Sequence, residues 1–377
     1  MAAAVYDKTA IESECQRLID ANANASSAKK VEGQGADSLF KLHKITHQVK
    51  KEIPHGTSKS GATPSKIMSL AWGPNEGDRR MAVVDQGGSL FVWDTVKTLR
   101  MYGCVYPFAQ CVAISPDEAN PAVLVGGMRN ATVLFKKDGE SARMKETKTW
   151  IAHDGYISSL QFLDGNKYIS SSGDADTRIF DLSSSNTSES LQTFRGHKLD
   201  CQSIKFARND KSKQTFITCS SDKTVKMWDI RSTQCVATFQ TDSELNSCCM
   251  FPTGDLIACG GERDKTYVFD VRGYKMVGKY ARNNMKTASC EFSKSGRELF
   301  VGHDDGAIIV WDIFGSGENR AYANKIVAHT VEDSPGRINT SQSRVQVLDV
   351  GPEGFLASGG FNGQVKIWGN PAAVPIS

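Results

Sequence analysis

The residues of this chain with chemical potential are two histidine–aspartate couples, His153 with Asp174 and His197 with Asp222. A carboxylate behind an imidazole orients the general base of many hydrolases. Here, however, each Asp is followed six residues later by an aromatic, Phe180 or Trp228. That order suits a hydrogen-bonded run of His, Asp and indole, which satisfies polar groups carried into a buried seam. His153, Asp174, His197, Asp222 and Trp228 are therefore read as structural, with the indole donor missing at Phe180. Asp305 stands at the same distance before Trp311, and both are given the same role. In the remaining copies the slot holds Gly87, Arg129, Arg263 or Asn362, so the network is expected to be complete in few of them.

The elements that would position these residues repeat along the chain. From Gly196 to Asp229, a Gly-His pair leads into two alternating apolar segments, Cys201 to Phe206 and Phe216 to Ser220, and then Ser221-Asp222 and Trp228-Asp229. The closing aromatic returns in Trp93-Asp94, Phe135-Lys136, Phe180-Asp181, Phe269-Asp270, Trp311-Asp312 and Trp368-Gly369. Spacings of 41–48 residues, with 57 before the last, resemble the period of WD40 repeats. A short four-stranded sheet cannot bury both faces alone and must stack on neighbours around an axis. Seven closers imply an all-β, seven-bladed propeller.

Composition narrows the function. Lys+Arg 45 against Asp+Glu 42 gives +3, too balanced for an electrostatic footprint on nucleic acid. The basic cluster Lys41, Lys44, Lys50, Lys51 and Lys59 reads as a solvated strand face. Ten cysteines without a CxxC pair, Cys248 and Cys249 adjacent, read as reduced apolar core residues of a cytosolic protein. His43 and His47 lack the further ligands of a zinc site. Phosphate loop, GxSxG elbow, HExxH, EF-hand and GxGxxG motifs are all missing. No catalytic residue, cofactor or metal is expected, and the chain is not read as an enzyme. The glycine pairs Gly87-Gly88, Gly126-Gly127, Gly260-Gly261 and Gly359-Gly360 are read as turn glycines that use positive φ.

Residues 1–25 carry a helical stripe, Ile11, Cys15, Leu18 and Ala25, with Asn22 as its one polar member. So narrow a seam needs a partner helix, and a lone Asn there can fix register in a coiled coil. Residues 26–41 read as a linker and 42–377 as the propeller. After Trp368 only nine residues remain, two of them proline, so the outer strand of the last blade should come from about residues 42–53. Four polar insertions, Gly56 to Ser65, Ser183 to Ser190, Ala207 to Thr215 and Thr330 to Ser343, are read as surface loops.

Several stretches are specific enough to name a family. KIMSLAWG (Lys66 to Gly73), VGGMRNATVLF (Val125 to Phe135), AHDGYISSLQFLDGNKYISSSGDADTRIFD (Ala152 to Asp181), FSKSGRELFVGHDDGAIIVWD (Phe292 to Asp312) and SGGFNGQVKIWGN (Ser358 to Asn370) resemble the β subunit of heterotrimeric G proteins. The resemblance runs from the leading helix to Trp368. It implies a dimer with a small Gγ subunit, held through Ile11, Cys15, Leu18, Asn22 and Ala25. It also implies a propeller face that covers GDP-bound Gα and is freed for downstream effectors when Gα takes GTP. Carried over by position, that face comprises Lys66, Met68, Phe91, Met128, Asn130, Asp154, Tyr156, Asp200, Gln202, Glu244, Asn246, Glu262, Arg344 and Phe361, with Phe108 and Gln110 in a neighbouring part of the contact. The family pattern is kept in kind at Lys66, Asn130, Tyr156, Asp200, Asn246 and Arg344. It departs at Ser89 (Lys in the family), Met68 (Tyr), Phe108 and Phe361 (Trp), Gln110 and Gln202 (Met), and Glu244 and Glu262 (Asp).

The ends VPIS and Met1-Ala2 carry no prenylation or myristoylation signal, so the expected location is the cytoplasm, with membrane attachment at the inner face of the plasma membrane through lipidated partners. A different WD40 scaffold, such as one resembling the receptor for activated C kinase, is the alternative. A propeller enzyme or small-ligand binder would require ionisable groups converging in the central channel.

Overall fold

The computed structural model describes residues 41–48, 65–94, 100–104, 108–117, 121–139, 143–151, 153–282, 284–314, 322–329, 332–334, 337–338 and 340–369. Ile11, Cys15, Leu18, Asn22 and Ala25 lie outside the described residues, as do 56–64 of the first insertion. Two compact units divide the chain, Met1–Leu39 and Phe40–Ser377, and the described residues all belong to the second.

Among the described residues the second unit holds seven antiparallel four-stranded sheets, six of which use consecutive strands in simple up-and-down order, and one two-stranded sheet, Glu332–Ser334 with Arg337–Ile338, inside the last insertion. Numbered in chain order, blades 1 to 7 have the innermost strands Ile67–Trp72, Ala109–Ile114, Ile157–Phe162, Cys201–Phe206, Leu245–Met250, Thr287–Phe292 and Val345–Val350. Each innermost strand packs on that of the next blade and the seventh packs on the first, which closes a ring. Blade 7 takes its outer strand from Lys41–Gln48, which pairs antiparallel with Gln364–Gly369 in the register Leu42 to Trp368 and Gln48 to Gln364.

Burial follows position in the blade. The second strand of blade 1, Arg80–Asp85, is buried at every residue because it has a blade on both faces, and its sequence RMAVVD is correspondingly almost continuously apolar. By contrast the outer strand of blade 4, Gln234–Gln240, is largely exposed, with only Ala237 and Phe239 buried. Seven apolar clusters fill the seams; Ile204, Phe216, Trp228 and Phe194 of blades 3 and 4, for example, pack with Ile169 and Ile179.

All seven innermost strands share one irregularity. The register shifts between their first and third residues, Ile67/Ser69 in blade 1 and likewise through to Val345/Val347 in blade 7. A β-bulge leaves its extra residue unpaired and re-aims that side chain. The re-aimed residues are Met68, Gln110, Ser158, Gln202, Asn246, Ala288 and Gln346, all at the same end of the ring.

Candidate protein-binding face

The hydrogen-bonded networks stand at this bulged end. In blade 4 the Trp228 indole donates to Thr218 Oγ1 at 2.8 Å, the Thr218 hydroxyl meets His197 Nε2 at 2.8 Å, and His197 Nδ1 meets Asp222 at 2.9 Å. Burial alone would raise the Asp222 carboxyl, but Thr224, the Lys198 backbone N–H and His197 outweigh it and hold it at about 2. Blade 3 repeats the arrangement through His153, Asp174 and Ser170, with Phe180 supplying no donor. These residues tie the turn before the innermost strand to the turn after the second strand. They hold the face in shape and leave the imidazoles no free lone pair.

Asp305 departs from the expected role. It is salt-bridged to Arg282, one oxygen at 2.8 Å, so a guanidinium takes the place the reading gave to an imidazole. Blade 7, conversely, holds a full network that the sequence reading missed: Trp368 donates to Ser358, Ser358 meets His329, and His329 meets Asn362 at 3.1 Å. The available signal was a Ser or Thr ten residues before the closing aromatic, present as Ser170, Thr218 and Ser358.

The glycine pairs also work differently from expectation. Gly88 does use positive φ (85°), whereas Gly127 and Gly261 do not. A Cβ on Gly127 would fall 2.4 Å from the Phe108 carbonyl oxygen, and one on Gly261 would fall 2.0 Å from that of Glu244. Close backbone approach, where the second strand ends against the turn before the bulge, is what requires glycine there.

Most residues assigned by resemblance gather on this bulged end. Met68, Gln110, Gln202 and Asn246 are themselves bulge residues, while Lys66, Asp154, Tyr156, Asp200, Glu244 and Arg344 sit one or a few residues before or beside the bulges. Ser158, Ala288 and Gln346, the equivalent residues of blades 3, 6 and 7, were not picked out by sequence; Gln346 Oε1 is buried without a hydrogen-bond partner among the described residues. Phe108 (54 % exposed) and Met128 (55 %) stand side by side as apolar anchors, tied by the Met128 N–H donating to the Phe108 carbonyl. Phe108 takes φ 67°, a costly conformation for an aromatic residue, and its own N–H is held by the Gln86 carbonyl at 3.0 Å. Phe91 does not reach the face. It lies 9 % exposed among Ile67, Val83 and Val365 and stacks on Trp93, because its place in the third strand points into the seam between blades 1 and 7.

Polar contacts knit the face from blade to blade. Asn130 donates to the Asp154 carbonyl at 3.2 Å, the Tyr156 hydroxyl donates to Asp200 at 2.9 Å, and Gln202 donates to both the Tyr156 oxygen and Ser221. Burial and the neighbouring Asp200 raise the Tyr156 phenol to about 12, so it remains a donor. Glu262 accepts from Asn246 at 2.9 Å and pairs with Lys286, which together lower its carboxyl. Further round, Lys66 lies 4.4 Å above the Phe361 ring and Arg344 lies 5.7 Å from it, so one aromatic is clasped by two cations. Apolar anchors surrounded by paired charges have the make-up of a protein-recognition surface.

The channel is not lined only by small and apolar residues. Lys205, Arg208, Glu291 and Asp349 converge there: Lys205 meets Glu291 at 2.6 Å, Arg208 lies 3.6 Å from the same carboxylate, and Asp349 accepts the Trp72 backbone N–H at 2.8 Å. Among the described residues no group of three or more His, Cys, Asp or Glu is placed to hold a metal ion. No described helix is long and apolar enough to cross a membrane.

Comparison with known proteins places these features in context. Residues 120–271 match the family model described as "Nucleolar protein 10-like, N-terminal domain", and residues 284–312 match "WD domain, G-beta repeat". The chain is 27 % identical over 325 residues to a guanine nucleotide-binding protein subunit beta of Zea mays, covering 80 % of each chain. A protein of the same name from Oryza sativa subsp. japonica is 27 % identical over 325 residues, and a subunit beta-1 from Nicotiana tabacum is 26 % identical over 321, again over 80 % of each chain.

Proposed function

For a chain that is a seven-bladed propeller of WD40 repeats, similar along most of its length to proteins named as G-protein β subunits, we propose a non-enzymatic role as a Gβ-type signalling adaptor. In this reading residues 1–25 pair with a Gγ chain, the bulged face binds a Gα subunit in its GDP state, and the same face receives effectors once Gα has left. Attachment to a membrane then comes from lipidated partners. One observation carries the proposal. Lys66, Asn130, Tyr156, Asp200, Asn246 and Arg344, kept in kind with the family, stand at one end of the ring beside the exposed pair Phe108 and Met128. The channel groups do not favour an enzyme, since Lys205 and Arg208 are engaged by Glu291 and Asp349 by the Trp72 backbone N–H.

The test is capture of the full chain, co-expressed with a γ chain, by immobilised Gα loaded with GDP or with a non-hydrolysable GTP analogue. Preferential capture by the GDP form is expected. The triple change Lys66→Ala, Tyr156→Ala and Phe361→Ala should weaken it, each anchor by about 1–2 kcal/mol. Equal capture by both nucleotide states would overturn the reading. Ile11→Asp with Leu18→Asp should abolish association with γ while leaving the propeller folded.

A further inference from the structure

The insertion Ala207–Thr215, which follows the innermost strand of blade 4, has the polar composition of an idle surface loop but does not behave as one. It reaches four other blades at the end of the ring opposite the bulges. Lys213 donates to the Phe162 carbonyl of blade 3 at 2.6 Å, and the Asn209 N–H donates to the Pro252 carbonyl beyond the innermost strand of blade 5 at 2.9 Å. Arg208 lies 3.6 Å from Glu291 of blade 6 and donates to the Val350 carbonyl of blade 7 at 2.5 Å. Blades 4 and 7 are not neighbours in the ring, so the last contact crosses the axis.

One layer further in, Lys205 of blade 4 bridges to Glu291, passing over blade 5. Lys205 and Glu291 keep only 22 % and 8 % side-chain exposure, and Asp349 lies close enough to feel both charges. Burial works to lower the Lys205 ammonium, yet Glu291 and Asp349 outweigh it and raise it above its usual value. Two cations thus face two acids, and the acid of blade 7 also accepts the Trp72 N–H of blade 1.

We propose that Ala207–Thr215 is an axial strap: with Lys205, Arg208, Glu291 and Asp349 it closes the channel at the end away from the bulges and fixes blade 4 against blades 6 and 7. Two consequences follow from the positions. Small ligands are denied passage through the disc. Asp200 and Gln202 on one side of the face and Arg344 on the other are held at a set separation, because each lies within a few residues of the strap's anchoring strands. The groups are structural and positioning residues, with no catalytic part.

Hydrogen exchange on the full-length chain tests the strap, comparing wild type with Arg208→Ala, the conservative Arg208→Lys, Lys205→Met, Glu291→Leu and the Lys205→Met/Glu291→Leu pair. Arg208→Ala should speed exchange about tenfold in Thr287–Phe292 and Val345–Val350, strands remote in sequence, with a smaller effect for Arg208→Lys. Each single change of the ion pair should lower the melting temperature by roughly 3–6 °C, since a largely buried charge loses its partner, and the pair should recover part of that loss. Exchange changes confined to residues 201–215, or thermal losses that simply add in the double variant, would overturn the proposal.

Discussion

The Tyr156 phenol oxygen lies 2.9 Å from Asp200 Oδ2, so the bulge region of blade 3 is bonded to the residue that precedes the innermost strand of blade 4. Gln202 donates to the same phenol oxygen at 3.1 Å, which makes Tyr156 both donor and acceptor across one seam. Removing the hydroxyl with Tyr156→Phe strands a half-buried carboxylate and an amide donor, while the ring keeps its packing. Stability should fall by about 1 kcal/mol. If the bulged face binds Gα as proposed, affinity for it should fall further than in Asp154→Ala, whose side chain is exposed. Thermal melts and capture by GDP-loaded Gα, the proposed partner, measure the two effects separately.

Gly261 supplies a sharper test of why glycine is needed. Its φ is ordinary, but a Cβ would sit 2.0 Å from the Glu244 carbonyl oxygen, and neither backbone segment can yield without disturbing the bulge at Asn246. Gly261→Ala should cost about 2–3 kcal/mol. Gly165→Ala, where nothing lies within 4 Å and φ is not positive, is the control and should be nearly neutral. A mild effect at Gly261 would mean the turn relaxes more easily than its backbone contacts imply.

Seven blades were legible because a closing aromatic at near-constant spacing needs no tertiary information. The bulges were not, since one unpaired residue per innermost strand leaves the apolar pattern of a stretch such as Cys201 to Phe206 almost unchanged. Asp305 looked like Asp222 because both precede a Trp by six residues, yet its partner is decided by Arg282, which the blade pattern does not index. His329 and Asn362 were hidden for the opposite reason: Asn in the Asp slot still accepts a hydrogen bond from the imidazole. The contacts of Ala207–Thr215 were invisible because Lys213 finds its partner in the neighbouring blade 3 and Arg208 in blade 7 across the axis, neither indexed by the repeat. As for the face, the sequence located its residues only through family resemblance, and Phe91 shows where that transfer runs into the core.

Acid should loosen the propeller in two stages whose signs agree. Burial depresses His303 from 6.5 to about 4 and His329 from 6.5 to about 3, so the unfolded chain binds more protons below pH 6.5. Stability from these residues is full above that pH and is lost as pH falls toward 4 and then 3. Asp174, lowered from 3.8 to about 2 by His153 and backbone N–H groups, and Asp222, lowered to about 2 by Thr224, the Lys198 N–H and His197, both despite burial, add a further loss between pH 3.8 and 2. Melting temperature measured from pH 7.5 to 4 should therefore decline, and His303→Gln should flatten the upper part of the curve. An unchanged slope in that variant would show that His303 does not titrate in this range.

Closure of blade 7 rests on a strand contributed from the other end of the repeats. Lys41–Gln48 covers Gln364–Gly369, the strand that carries Trp368 and, through its indole, the Ser358–His329–Asn362 network. Deleting residues 1–48 would leave Gln364–Gly369 as an open edge whose backbone groups are available to another chain. A loss of roughly 5–10 °C in melting temperature is expected, with concentration-dependent association through the bare edge. Deleting only residues 1–39 keeps the strand and should leave the melting temperature within about 2 °C of the full chain's. Calorimetry with light scattering on the two truncations separates the cases. Equal stability of both would show that the ring holds without its fourth strand in blade 7.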